Sequence, residues 1–594
     1  MKHTIIIAGI VLASLFTSCQ EDYLDAPPKS TMVEADVFSN IELAQGAVDA
    51  IKVPFAETNS YRGRFIPFYG LNTDVEWHNS SQSDNDTSNL VNYDLKSTNT
   101  QMNSVDNVWA MMYAGIERAN ICIAGLRTYS DAKSGTQFGH LLGESLTLRA
   151  IYYADLLKAF GDVPARFEPV TTETMYIAKS SRDEIYKRLL ADLAEAATLV
   201  PWPNETTATS TVQRVNKAFV KGFRARLAMA ASGYQQYPDG IHRSKDPDLS
   251  VANMYKLALN ESREVIASGK AHLESSFETF WKKYNQENIT AGGESLWEIP
   301  FASGRGRVLY TFAVRHNAID QFQESGAGRG GSAGPLPYVF YDYNVKDTRR
   351  DVTCVPYRYG AAVNKVAKQE LFALNTWYFG KYRYEWMNRI VKTVNDDGMN
   401  KIYMRYAEVL LIAAEAANEL EGVAAAKPYL REIRTRAFAP ADQALNVDTY
   451  LNNITSKDDM FKALVNENKF EFTGEMERKQ ALIRWNLLKT NLDIAKAKMK
   501  DLQARTGEYA DVPSTLYFRY KATDPTTLEI YGLNRGETTS PGAGYSTITW
   551  VALDEAKINS LYKVGIDPDS HQFWPIWQVF VDGSNGKLKN DYGY

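Results

Sequence analysis

Apolar residues recur every three or four positions in long blocks that end at glycine or proline, and this period commits most of the chain to helices that each bury one face. Leu142, Leu146, Tyr153, Leu157 and Phe160 form one such stripe, stopped by Gly161-Asp162-Val163-Pro164. Ile185, Leu189, Leu193 and Ala196 form the next, opened by Ser181 and Glu184 as a capping box and closed by Pro201 and Pro203. Ala218, Gly222, Ala225 and Met229 then make a stripe of small side chains that lets a partner helix come close. Similar patterns run from Asn107 to Arg127, Met254 to Ser268, Tyr403 to Leu420, Ala424 to Arg436 and Asp458 to Leu488, which makes at least eight helices. Stacked pairs of roughly 34 residues predict a mainly α, tetratricopeptide-like helical-repeat scaffold. Within it Arg405 and Glu408 stand three apart and are expected to pair on the helix surface.

Between residues 277 and 400 the composition turns to Gly, Tyr and Pro, with strand-like pieces at Leu296 to Pro300 and Val308 to Val314. The stretch from Tyr509 to Trp550 is irregular in the same way. Loops carried on a rigid scaffold are where binding chemistry concentrates, so a site is expected in this loop-rich insert.

The N-terminus reads as an export signal. After Lys2 and His3, Ile5 to Phe16 is an apolar run that is too short to span a bilayer, and the small residues Thr17 and Ser18 precede Cys19. Cleavage of residues 1–18 would free the Cys19 thiol for acylation, so Cys19 is expected to be a lipid anchor, although Phe16 stands where such signals usually carry Leu. The remaining cysteines are Cys122, inside an apolar helical stripe, and Cys354. A net charge of −5 and no dense Lys/Arg run exclude a broad nucleic-acid surface.

Several motifs fail on context. Gly330-Gly331-Ser332-Ala333-Gly334 matches a nucleophile elbow letter for letter, but Pro335 and Pro337 follow, where an elbow must enter a helix. Gly326, Gly328 and Gly331 have dinucleotide-loop spacing with no helix start behind them. Asp84 and Asp86 open something like a calcium loop that lacks its glycine and closing glutamate, and the seven histidines are scattered singly. Neither cofactor nor metal is expected.

Aromatic residues carry the binding signal. With 35 Tyr, 25 Phe and 11 Trp, aromatics make 12% of the chain, and many stand in polar loops. Trp77 lies in a segment with no apolar period, between Asp74 and Asn79, so its ring either stacks on a ligand or packs against a neighbouring helix. Trp109 has helical spacing with Tyr113 and Ile116 and belongs to the core.

These blocks resemble the SusD/RagB family of outer-surface lipoproteins. The likeness is carried by Leu148-Arg149-Ala150-Ile151-Tyr152-Tyr153 through Phe160-Gly161-Asp162-Val163-Pro164, by Ser181-Arg182-Asp183-Glu184-Ile185-Tyr186 and by Val215-Asn216-Lys217-Ala218. Met404-Arg405-Tyr406-Ala407-Glu408, Arg484-Trp485 and the C-terminal Phe573-Trp574-Pro575-Ile576 continue it, while Asn468, Gln480-Ala481 and Trp577 depart from the family pattern. Gln20-Glu21-Asp22 likewise resembles the surface-export signal of Bacteroidetes lipoproteins.

The resemblance implies a domain over residues 19–594, with the scaffold at 30–276 and 401–508, the insert at 277–400 and an irregular C-terminal region at 509–594. It further implies a non-catalytic, lipid-anchored protein on the outer membrane that captures glycan for a SusC-like TonB-dependent transporter. The region that supplies a stacking aromatic in the family contains Trp77, with Asp74, Asn79 and Arg64 as polar neighbours. Trp281, Tyr284 and Tyr310 are expected to form the second wall. A peptide-capturing homologue is the nearest alternative. A glycosidase would need two carboxylates about 5 to 10 Å apart across a sugar, for which only Asp74 and Glu76 stand beside Trp77.

Overall fold

The computed structural model describes residues 32–302, 304–393, 397–550 and 553–594; the signal run and Cys19 lie outside them. Helices Val108–Tyr129, Gln137–Phe160, Arg182–Leu199, Lys217–Ala231 and Val251–Ser268 each pack on the next. The last then packs on Tyr406–Leu420, which is followed by Val423–Ala437, so the insert leaves and rejoins the helical array at one place. Polar caps start these helices where the sequence puts them: Asn107 accepts from Ala110 N at 3.1 Å and Thr136 from Gly139 N at 2.9 Å. Ser181 caps through Asp183 N, not as a capping box, because Glu184 turns outward to Lys187 at 2.9 Å.

Long-range partners override local pattern in several places. The expected helix from Tyr403 begins at Tyr406, since Lys401–Arg405 is a strand antiparallel to Ser295–Ile299. The expected helix from Asp458 breaks into Lys457–Phe472 and Arg478–Arg484, because Gly474 and Met476 turn the chain through positive φ. Val308–Phe312 is helical rather than extended, with the Asp397 carboxylate accepting from Tyr310 N at 3.0 Å near its start. Phe277–Asn285 is also a helix. The C-terminal stretch contains a three-stranded antiparallel sheet, with Thr515–Lys521 between Asp524–Tyr531 and Ser546–Thr549.

A buried ionic network fastens the insert to the scaffold. Arg405, 1% exposed, binds Glu294 at 2.7 Å, Glu471 at 2.6 Å and Glu475 at 2.7 Å. Arg436 shares Glu294 and Glu471, Arg349 joins Asp347, Glu467 and Glu471, Arg434 joins Glu467, and Lys381 joins Glu475. Those five cations meet five carboxylates, so the cluster is neutral, as a dry interior requires. The expected surface pair of Arg405 with Glu408 does not form; Glu408 instead accepts from Arg226 Nε at 2.6 Å. Arg405 faces inward because strand 401–405 runs beneath the array.

Among the described residues Lys479 has no such partner. It is buried, its ammonium lies 4.8 Å from the Tyr69 ring and 4.6 Å from the Tyr93 ring, and burial lowers its pKa to about 7. An unfolded lysine titrates near 10.4, so the folded state holds fewer protons between pH 7 and 10, and stability gained at this site rises with pH across that window. Lys479→Met is therefore expected to raise stability at pH 6 by on the order of 2 kcal/mol and by less at pH 9, read from urea unfolding. A loss at pH 6 would contradict the assignment. Cys122 and Cys354 are both buried free thiols, and burial pushes Cys122 up to about 12.

Candidate functional site

Segments distant in sequence meet at one face of the insert. Strand Glu76–His78 pairs antiparallel with Ala333–Pro335, and beyond it Asn79 N donates to Ser332 O at 2.9 Å while Asn79 Nδ2 donates to Gly331 O at 3.0 Å. The glycine loop ahead of Ser332 is held against the helix Val308–Phe312, with Gly330 N donating to Tyr310 O at 3.0 Å. Gly330 is at φ +72, and a Cβ there would stand 2.6 Å from Ala313 O, so only glycine permits this approach. The would-be nucleophile elbow is thus a loop running into an edge strand.

Tyr310 is half-buried at the centre of this face. The Arg307 guanidinium lies 4.2 Å from its ring centroid and that of Arg329 lies 5.5 Å away. On the neighbouring Tyr61–Phe65 turn, a Cβ on Gly63 would stand 3.3 Å from Arg307 Nη1, so Arg307 reaches across the turn that carries Arg62 and Arg64. Burial, then Arg305 and Arg307, lower Arg62 to about 10, and burial followed by Arg307 lowers Arg64. Arg64 Nε donates to Gln101 O at 3.0 Å, Arg305 to Ala56 O at 3.1 Å and Arg315 to Asn317 Oδ1 at 3.0 Å.

The expected site residues divide. Arg64, Asn79 and Tyr310 lie at this meeting of loops, Asn79 as the residue that fastens the glycine loop. Trp77 is corrected: it is 0% exposed, with Lys557 Nζ 4.5 Å from its ring centroid, so no face is open to a sugar. Asp74 is buried too. Both of its oxygens accept from Arg478 at 2.8 Å, and although burial alone would raise it, Arg478 holds the carboxyl below its usual range. Trp281, 0% exposed, packs edge-on to Tyr284 and Tyr382, and Tyr284 donates to Asn400 O at 2.6 Å. These four shape the core behind the face. Arg305, Arg307, Arg315 and Arg329 were not anticipated, although Gly304-Arg305-Gly306-Arg307 and Gly328-Arg329-Gly330 carry a readable signal of arginines between glycines.

Glu76 is enclosed, and burial pushes its carboxyl up to about 8. Among the described residues no three His, Cys, Asp or Glu side chains gather as a metal site, and no helix is long and apolar enough to cross a membrane.

Comparison with known proteins places the chain. The SusD family model matches residues 293–594. The chain belongs to the SusD family. A second family model, described as starch-binding and associating with the outer membrane, matches residues 22–229 of this SusD-family protein. SusD-like protein P25 of Formosa agariphila is 26% identical over 85% of this chain and 93% of its own length, and P38 of the same organism is 24% identical over 82% and 91%. A SusD homologue from Bacteroides thetaiotaomicron superposes with a TM-score of 0.72 at 19% identity, covering 94% of this chain and 98% of that one. Surface glycan-binding protein A from the same organism, in complex with laminarihexaose, superposes with a TM-score of 0.60 at 19% identity over 93% and 99%. The helical fold of this SusD-family protein is therefore shared over nearly its whole length.

Proposed function

We propose that this SusD-family protein is a non-catalytic, cell-surface lipoprotein of the outer membrane, anchored through Cys19, that captures oligosaccharide or polysaccharide and delivers it to a SusC-like TonB-dependent transporter. Family membership over more than half the chain carries the reading, and the relative in complex with laminarihexaose supports a glycan as the ligand. The face around Tyr310, Arg64 and the Asn79-anchored glycine loop is the proposed capture site, because it joins polar donors to a partly exposed ring at a junction of loops on the scaffold. Catalysis has no support there: Asp74 and Glu76 are buried in the core, and Asp397 is buried behind the Tyr310 backbone.

The test is retention of the purified mature chain on an array of polysaccharides and peptides, with Tyr310→Ala beside it. Glycan retention that weakens about tenfold in the variant, at an unchanged melting temperature and without new reducing ends, is the expected result. Retention of peptides alone, or release of reducing ends, would overturn it. Co-purification of a TonB-dependent barrel from detergent-solubilised outer membrane tests delivery.

A further inference from the structure

The capture face is far more cationic than the chain as a whole, whose net charge is −5. Arg307 and Arg329 lie beside the Tyr310 ring, Arg315 stands next to the glycine loop at Gly328, and Arg64 and Arg305 flank them at the Tyr61–Phe65 turn; among the described residues none of these five has a carboxylate within ion-pair distance. That contrasts with the scaffold, where Arg405, Arg349 and Arg434 are each fully paired. Nε of Arg307 and Nε of Arg329 are buried and lack a hydrogen-bond partner among the described residues. Arg307 donates no hydrogen bond there at all, and Arg329 spends its terminal nitrogens on Ala327 O and Ser325 O at 2.9 and 2.8 Å.

Guanidiniums held this close repel one another: burial is the main cause of the lowered Arg62 and Arg64, and repulsion by Arg305 and Arg307 on the first and by Arg307 on the second adds to it. Such a cluster is costly unless an anion joins it. Among the described residues the nearby acids offset the cluster only from a distance: Asp106 accepts from Asn59 Nδ2 at 3.2 Å, and Asp397 accepts backbone N–H groups of Tyr310 and Met399. With their guanidinium carbons 4.2 and 5.5 Å from one ring centroid, Arg307 and Arg329 are held side by side, where both can reach the oxygens of one carboxylate or sulfate.

We infer that the glycan held at the Tyr310 face is anionic, a saccharide bearing carboxylate or sulfate groups that are bound by Arg64, Arg305, Arg307, Arg315 and Arg329. This rests on the reading of the protein as a glycan-capture subunit.

The experiment measures affinity of the full mature chain for polygalacturonate, for chondroitin sulfate and for neutral laminarin and starch, at 50 and 500 mM NaCl. Arg307→Gln, Arg329→Gln and the exposed Arg305→Gln are compared with Arg519→Gln, which lies on the C-terminal sheet paired with Glu529. The inference expects an acidic polymer to bind at least about tenfold tighter than either neutral one at 50 mM salt, and to weaken about tenfold at 500 mM as screening shortens the reach of the charges. Arg307→Gln and Arg329→Gln should each lose about tenfold, Arg305→Gln less, and Arg519→Gln nothing. The carboxylated and sulfated arms identify the anion. Neutral glycans bound equally well and without salt dependence would overturn the anionic assignment while leaving glycan capture intact. Binding to no glycan would overturn both, and acidic-glycan binding unchanged in correctly folded Arg307→Gln and Arg329→Gln would remove it from this face.

Discussion

Arg405→Met is expected to destabilise the fold by about 3–5 kcal/mol, the cost of leaving buried carboxylates without their shared cation. Three of them, Glu294, Glu471 and Glu475, lie within 2.7 Å of its guanidinium, and Arg436 and Lys381 share oxygens of the same groups with it, so neither is free to replace it. Methionine fills much of the volume, so the loss reports charge rather than a cavity. The network also gives the acid limit of the fold. Burial alone would raise Glu471, yet Arg436, Arg405 and Arg349 hold it well below the usual carboxylate range. The unfolded state therefore binds the proton first, so the stability this group supplies is complete above the ordinary glutamate range and is lost as pH falls toward the folded value. In Arg405→Met the folded value moves back toward the ordinary range, so the loss on acidification should be smaller and complete at higher pH. Urea midpoints measured from pH 7 down to pH 3 check both points; a midpoint at pH 7 within about 1 kcal/mol of the parent chain would refute the role given to Arg405.

The same residue marks how far sequence reading reaches. Helices such as Val108–Tyr129 and Gln137–Phe160 were legible because their apolar stripes and caps lie within a few residues of one another. Arg405 was not, because strand 401–405 exists only through pairing with 295–299, more than a hundred residues earlier. Val308–Phe312 illustrates the same limit: aromatic and β-branched residues read as a strand, and the segment is a short helix whose Tyr310 N–H donates to the distant Asp397 carboxylate. At the proposed face, single loop residues could be picked from the sequence and their arrangement could not. Arg64, Asn79 and Tyr310 were singled out because polar and aromatic residues in loops stand out, and the fold brings them to one junction of loops. The arginines around them were passed over because their glycine neighbours were weighed only as nucleotide or nucleophile motifs. Convergence of single arginines from three loops leaves no period and no spacing to detect.

Trp77→Ala is the second large expected effect, about 3–5 kcal/mol lost, because the ring is fully buried in a cluster with Val75, Leu336 and Trp377. Its local sequence gave no hint of this, since most of the residues that cover it lie some 260 to 480 positions further along. Truncation would also leave Lys557, whose pKa burial lowers to about 7, without the aromatic face beneath it. A ligand-stacking tryptophan would behave oppositely, with affinity lost and melting temperature kept, which is the behaviour expected here of Tyr310→Ala. The two variants thus form a crossed pair. If Trp77→Ala melts with the parent chain and loses glycan, the buried placement of Trp77 is wrong. If it melts early but its folded fraction retains glycan, the ring belongs to the support behind the face, and the chemistry of recognition passes to the arginines in front of it.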